Sequence, residues 1–414
     1  MQVKTLLNRV HHFKGFVYGS VTVEGETVMV AVKPRQGSRG WCGSCGKRGA
    51  TYDTARTPRK FTFVPLWGFA VILLYCIRRI DCTKCSVTTE QVPWADGKHR
   101  ACNAYRLFLA RWGKRLSWSE VATIFGTSWG TVFRSVQWVV EFGLKARDLE
   151  NVSAIGIDEM AMWAGHKYVT VVYQIDQGCR RLLWVGKDRT EKTLEGFFQE
   201  FGDARAKALE FVASDMWKPY LTIVARYAGQ AVHVLDRFHI VAKLNKAIDE
   251  VRAKEAKELI RQGFEPVLKH TRWCFLKRPK NLTDKQEGKL ADVLKYDLRT
   301  VRAYCLKEAF EAFWGYTSPR WAAWFLDRWC ARAMRSRLEP IKKFARTVRA
   351  HRQLMLNWFV AKKAISSGIV EGLNANAKLA VRKARGFRSY VVLKIALYHQ
   401  LGKLPEPQFT HRFC

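Results

Sequence analysis

Between residues 151 and 236, apolar and polar positions alternate with the two-residue period of half-buried strands in VSAIGID, YVTVVYQI and RLLWVG. Helical spacing follows in TLEGFFQEFG, then a strand pattern in ALEFVASD, a helical PYLTIVARYAG and a last strand in AVHVLD. The predicted order is β-β-β-α-β-α-β. Ahead of this region, FTFVPL and FAVILLYCIRRI have strand character, and the most apolar run, Leu66 to Ile77, is predicted to be a buried strand. Its twelve residues fall short of the ~20 needed to cross a bilayer. Residues 101–143 carry helical periodicity, and SWSEVATIFGTSWGTVFRSVQWVVEFG predicts a short helix, a turn at Gly126 and a second helix capped by Thr127 or Ser128. Val121, Ala122, Ile124, Val132 and Val136 are placed to pack those two helices together. Residues 237–360 read as successive amphipathic helices without strand alternation.

Three hairpin-connected strands followed by alternating helices and strands resemble the ribonuclease H-like arrangement, which sets the ends of the first and fourth strands side by side. Asp158 and Asp215 fall at those two predicted ends. The expected fold class is therefore α/β: a ribonuclease H-like domain interrupted by an all-helical insertion and preceded by two smaller modules.

Charge changes the picture. Lys and Arg total 71 against 36 Asp and Glu, a net charge of +35, which makes nucleic acid the leading partner. In the helical hairpin, Trp129, Arg134 and Gln137 are candidates to face the major groove, as in a helix-turn-helix. The first fifteen residues, MQVKTLLNRVHHFKG, contain no continuous apolar stretch or small-residue cleavage site, so a cytoplasmic, nucleoid-associated protein is expected. Reduced thiols follow from that compartment. Cys42-x2-Cys45 and Cys82-x2-Cys85 are two knuckles whose paired thiolates suit one tetrahedral zinc ion. The 36 residues between Cys45 and Cys82 leave room for a strand hairpin between the knuckles, and Cys76 inside the apolar run is expected in the core.

Two acids at neighbouring strand ends need a third partner to hold a pair of divalent ions. SSGIVEGLNANAKLAVRKARGFRSY offers one: Ser366 or Ser367 caps a helix on which Glu371, Asn374, Lys378 and Arg382 recur on one face. From Ala361 to Lys394 there are eight Lys or Arg and a single acid, Glu371. A metal-ligating glutamate beside phosphate-binding Lys378, Arg382, Lys383, Arg385 and Arg388 accounts for that pattern. Hard oxygen ligands suit Mg2+ or Mn2+, with two ions expected. Glu159, adjacent to Asp158, is expected on the opposite face of the strand.

The ordered set WCGSCG, DCTKC, SWSEVATIFGTSWGTVFRSV, IGIDE, SDMWKPY, LDRFHI and SGIVEGLNANAKLAVRKARGFRSY resembles, across nearly the whole chain, the insertion-sequence transposases of the ISL-three family. The resemblance implies that Asp158, Asp215 and Glu371 form a DDE triad. It also implies that the front modules read the terminal inverted repeats of a DNA element, which the enzyme cleaves and joins to target DNA. The corresponding domains are a zinc-binding module at 1–97, a helix-turn-helix at 98–148, catalytic-core segments at 149–236 and 361–414, and the helical insertion at 237–360. Joining two DNA ends implies a homodimer or larger on double-stranded DNA, and no membrane partner. For Asp236 and His239, a role at the metal site, a DNA contact and a local structural pair all stay open. Trp273, Trp314, Trp321, Trp324, Trp329 and Trp358 in the insertion are expected mostly to fill the core.

Overall fold

The computed structural model describes residues 3–163, 167–361, 367–384, 386–387 and 389–408. The chain divides into two compact units: residues 1–147 with 378–414, and residues 148–377.

The first unit opens with helix α1 (Val3–Val10) and eight strands: β1 (Phe16–Glu24), β2 (Thr27–Pro34), β3 (Gly40–Trp41), β4 (Arg48–Thr54), β5 (Arg59–Leu66), β6 (Phe69–Tyr75), β7 (Arg78–Cys82) and β8 (Ser86–Thr89). They form two four-stranded sheets, ordered β1-β2-β6-β5 and β3-β4-β7-β8. The hairpin between the cysteine knuckles therefore leaves the knuckle sheet and pairs with the N-terminal strands, β6 lying parallel to β2. The apolar run at 66–77 is not one strand. Trp67 and Gly68 both take positive φ (50° and 87°), the signature of a two-residue hairpin turn. Trp67 is consequently left exposed, and Cys76 is half-buried rather than fully in the core. Trp94 packs among Phe13, Phe16, Phe61 and Tyr75. A buried ion pair of Arg78 with Glu90, whose carboxylate also accepts from the Tyr75 hydroxyl at 2.6 Å, ties the two sheets together.

Helices α2 (Asn103–Arg115), α3 (Trp118–Ile124) and α4 (Trp129–Ala146) follow. A capping box between Ser117 and Glu120 starts α3, Gly126 turns the chain at φ 56°, and the Ser128 hydroxyl caps α4 by accepting from Thr131 N–H at 3.1 Å. Val121, Ala122, Val132 and Val136 are buried as expected, whereas Ile124, at the last turn of the seven-residue α3, is 61 % exposed.

In the second unit β9 (Ala154–Trp163), β10 (Lys167–Asp176) and β11 (Cys179–Lys187) form an antiparallel meander. Helices α5 (Glu191–Phe201) and α6 (Asp203–Lys207), strand β12 (Phe211–Ser214), helix α7 (Lys218–Tyr227) and strand β13 (Val232–Leu235) follow, giving the predicted element order with one extra short helix. The sheet order is β11-β10-β9-β12-β13, with β12 parallel to both neighbours. One apolar core joins Ile155, Ile157 and Val212 of the strands to Leu194, Phe198, Tyr220 and Ile223 of α5 and α7.

Residues 237–360 are helical, comprising α8 (Arg237–Arg261), α9 (Arg272–Leu276), α10 (Asp284–Val293), α11 (Arg299–Glu311), α12 (Pro319–Met334), α13 (Glu339–Ala350) and α14 (Arg352–Val360). Of the six insertion tryptophans, Trp314, Trp329 and Trp358 are buried there, while Trp273, Trp321 and Trp324 are exposed. Helix α15 (Ser367–Lys383) then crosses β9 so closely that a Cβ at Gly156 would lie 2.5 Å from Val370 Cγ2. Helix α16 (Tyr390–Leu401) packs with α4 in the first unit, and Glu406 pairs with Arg111 and Lys114 of α2. By compactness, residues 378–414 group with the first unit.

Candidate active site and zinc centre

The Sγ atoms of Cys42, Cys45, Cys82 and Cys85 all lie within 4.8 Å of one another, the only such group of His, Cys, Asp or Glu ligands among the described residues. Tight turns before β4 and between β7 and β8 bring each pair forward. The Thr88 hydroxyl and the backbone N–H groups of Cys45 and Ser44 favour the thiolate of Cys42, lowering its pKa to about 6. Hydrogen bonding to Cys45, burial and the neighbouring thiolates push Cys85 up to about 12. Four crowded sulfurs without a counter-charge resist ionising together, and a dication removes that conflict. The donor set fits structural zinc, which would be held by all four thiolates.

The second cluster is acidic and lies on the sheet of the other unit. Parallel pairing sets Ala213 beside Gly156 and Ser214 beside Leu235. Continuing those registers brings Asp158, Asp215 and Asp236 into one row across β9, β12 and β13. Asp158 is not at the end of β9, which continues to Trp163; it lies two residues beyond Gly156, the last β9 residue paired with β12. Burial raises the Asp158 pKa, and the charges of Asp236 and Asp215 add to that rise. The Asp158 side chain accepts from its neighbour's N–H at 2.7 Å and from the Asn374 amide, whose oxygen in turn accepts from the Tyr173 hydroxyl at 2.7 Å.

Asn374 therefore does not share an exposed face with Lys378 and Arg382. It is buried against the sheet, while Glu371, one turn earlier on α15, is exposed. The helix carrying Glu371 is fixed to the strand carrying Asp158, but the three proposed ligands are not drawn together to the spacing seen in the thiol cluster. Lys378 and Arg382 are exposed, Lys383 donates to the carbonyls of Lys114 and Arg115, and Arg385 and Arg388 lie outside the described residues. Ser366 does as well.

Glu159 points away from Asp158 yet belongs to the same electrostatic group. Burial, followed by the charge of Asp215, raises its pKa to about 7. Arg189 bridges the acids, with Nε 2.6 Å from Glu159 and a terminal nitrogen 3.4 Å from Asp215, while its guanidinium stacks 4.3 Å from the Trp217 ring centroid. Asp236 caps α8 by accepting from Phe238 N–H at 2.6 Å, and His239 lies 3.8 Å from its other oxygen. Arg189 was missed in the sequence because nothing in KDRTEK distinguishes a bridging arginine from a solvated one. In the helical hairpin, Trp129 is 42 % exposed and stacked on Phe133, Arg134 is exposed, and Gln137 is half-buried and bonded to Glu141 at 2.8 Å.

A four-thiol module suited to zinc and an α/β sheet carrying a row of acids are features that a metal-dependent enzyme acting on DNA would need, and similarity to known proteins supplies the class. A transposase family model, that of the ISL3 DDE transposases, matches residues 155–397, and a model of the zinc finger of the IS204, IS1001, IS1096 and IS1165 transposases matches residues 38–85. The chain belongs to the ISL3 family of DDE transposases. The transposase for insertion sequence element IS1001 of Bordetella parapertussis is 28 % identical, over 91 % of this chain and 94 % of that protein. The transposase for IS1557 of Mycobacterium tuberculosis strain CDC 1551 / Oshkosh is 29 % identical, over 94 % of this chain and 92 % of its own. Among the described residues no helix is long and apolar enough to cross a membrane.

Proposed function

We propose that this transposase binds the terminal inverted repeats of its insertion sequence, cuts there and joins the released ends to target DNA, using Asp158, Asp215 and Glu371 on a ribonuclease H-like core. The observation that supports the reading is the register of the sheet, which ends at Ala213 beside Gly156 and, continued by two residues, leads Asp215 toward Asp158, while the Asn374 amide ties α15, the helix of Glu371, to Asp158. Asp158, Asp215 and Glu371 would hold divalent Mg2+ or Mn2+, which when bound would supply Lewis acidity for the attacking and leaving oxygens. The chain does the positioning. Asn374 orients the Asp158 carboxylate, the Tyr173 hydroxyl fixes Asn374, and Arg189 offsets the charge of Glu159 and Asp215. Asp236, committed to capping α8, supports the row of acids. Water attacks the phosphodiester in line at each element end and releases a 3′ hydroxyl, which then attacks a target phosphodiester and expels a second 3′ hydroxyl. No covalent protein–DNA link forms.

The helices α3 and α4 act as a helix-turn-helix, with Trp129, Arg134 and Gln137 toward DNA, while Lys378, Arg382, Lys383, Arg385 and Arg388 meet phosphates. Coordinated cutting of two ends calls for at least a dimer on DNA. The test is a magnesium-dependent cleavage and strand-transfer assay on duplex element ends, comparing the native chain with Asp158→Ala, Asp215→Ala and Glu371→Ala. All three variants are expected to be inactive. Full activity in any one removes that residue from the triad, and a trapped protein–DNA adduct defeats the mechanism as a whole.

A further inference from the structure

The helical segment contains a groove of about 1040 Å³ between α11 and α12, lined by Arg302, Arg328, Arg332, Arg335 and Arg337 along with Trp324. Among the described residues no aspartate or glutamate lines it. Arg328 and Arg332 stand at i and i+4 on one face of α12, Arg335 at i+7 is its C-cap residue, Arg302 faces them from α11, and Arg337 sits in the turn after α12 with φ 59°. All five are exposed. Among the described residues only Arg302 has an acidic partner, Asp297 at 4.0 Å.

This differs from an ordinary solvated face. Along α8 in the same unit the signs mix, with half-buried Asp249 paired to Arg252 and to Arg272 of α9, and Glu258 to Arg299 of α11. Five guanidiniums sharing a concavity repel one another, and their planar forks suit oxygen anions spaced along a polymer. Trp324 is 49 % exposed at the rim, with Arg328 stacked 4.5 Å from its ring centroid, a flat surface available to a sugar or base beside the phosphates.

We propose that this groove is a second nucleic-acid site, separate from the acidic row and the helical hairpin, which grips the phosphate backbone of DNA during transposition. It rests on the reading of the chain as a DNA transposase and adds a binding surface to it. The geometry suits one strand of phosphates running along α12, with Trp324 packing beside it.

Cys305, exposed on the α11 wall, provides a built-in reporter. The full zinc-loaded chain is titrated with a fluorescein-labelled 30-base-pair duplex and, separately, with oligodeoxythymidine across a salt series. Alkylation of Cys305 by iodoacetamide is followed by mass spectrometry with and without each probe. Replacing Arg328, Arg332 and Arg335 with Gln should reduce the slope of log Kd against log salt by about 3 for the duplex, at about 0.9 per phosphate contact. In the native chain DNA should slow Cys305 alkylation several-fold. Protection by the duplex alone identifies double-stranded DNA as occupant, and protection by oligodeoxythymidine identifies a single strand. An unchanged salt slope, or Cys305 alkylation equally fast with and without both probes, overturns the proposal. Asp158→Asn should abolish cleavage yet leave slope and protection intact, so failure of the groove and failure of the catalytic reading are separable.

Discussion

The zinc centre and the acidic row both crowd groups of one kind, but they are closed in different ways. Four thiols from two turns converge within 4.8 Å, with Cys42 and Cys82 fully buried, so the site has no room for a substrate. The acidic row is spread over the middle of β9 and the ends of β12 and β13, with Glu371 on a helix, and its nearest counter-charge is Arg189, a single side chain stacked on Trp217. A closed ligand set serves folding, whereas an open one leaves positions for a reacting group. The difference teaches that the same electrostatic problem, like groups held together out of water, suits a staple in one unit and the proposed reaction centre in the other.

Removing zinc should break the comparison most strongly. Chelation, or Cys82→Ser, is expected to cost the first unit on the order of 10 kcal/mol, unfolding the β3-β4-β7-β8 sheet, while the second unit keeps its own transition. Calorimetry with metal analysis checks this: one zinc per chain and two separable transitions are expected, and an unaltered first transition after chelation would count against a structural ion.

A smaller effect tests the coupling of α15 to the acidic row. Gly156→Ala places a methyl group 2.5 Å from Val370 Cγ2, so the helix must shift, at about 1–3 kcal/mol. Val370→Ala in the same chain should recover most of that loss in a urea titration. Equal midpoints for Gly156→Ala and the native chain would mean that the helix yields freely.

The effect that is smallest at neutral pH, and emerges only in acid, concerns His233, buried with its ring nitrogen 2.8 Å from the Ser214 hydroxyl. Burial lowers its pKa from 6.5 to about 4, so it is neutral in the folded protein while the unfolded chain takes up a proton. Its contribution to stability is complete above pH 6.5 and is lost as pH falls toward 4, at up to about 1.4 kcal/mol per pH unit. His233→Asn should flatten the acid limb of the second unit's stability curve. An acid limb of the same steepness in both proteins would place the proton elsewhere.

What was legible in the sequence was what repeats locally. Period-two alternation in YVTVVYQI and its neighbours gave the strand order, and the paired Cys-x2-Cys turns gave the thiol cluster, because each signal is complete within a few residues. Sheet partnership was not legible: the β5–β6 hairpin lies between the knuckles in the chain yet joins β2, a choice made by burial of Phe61 and Leu73. The Trp67-Gly68 turn was hidden by the hydrophobicity of Trp, although the glycine was its one local mark. At the proposed site, position nominates Asp158 and Asp215, whereas Asn374 looks like part of a basic stripe and Arg189 carries no local signal. Both act through contacts with strands or loops remote in sequence, Asn374 reaching Asp158 across 216 positions.

The central claim is that Asp158, Asp215 and Glu371 hold divalent ions in one place, and Mn2+ binding followed by electron paramagnetic resonance on the zinc-loaded chain tests it most directly. The account predicts saturable binding beyond the zinc centre that is weakened at least about tenfold, about 1.4 kcal/mol, by each of Asp158→Asn, Asp215→Asn and Glu371→Gln. Mn2+ titrations of Glu371→Gln superimposing on those of the native chain would contradict it.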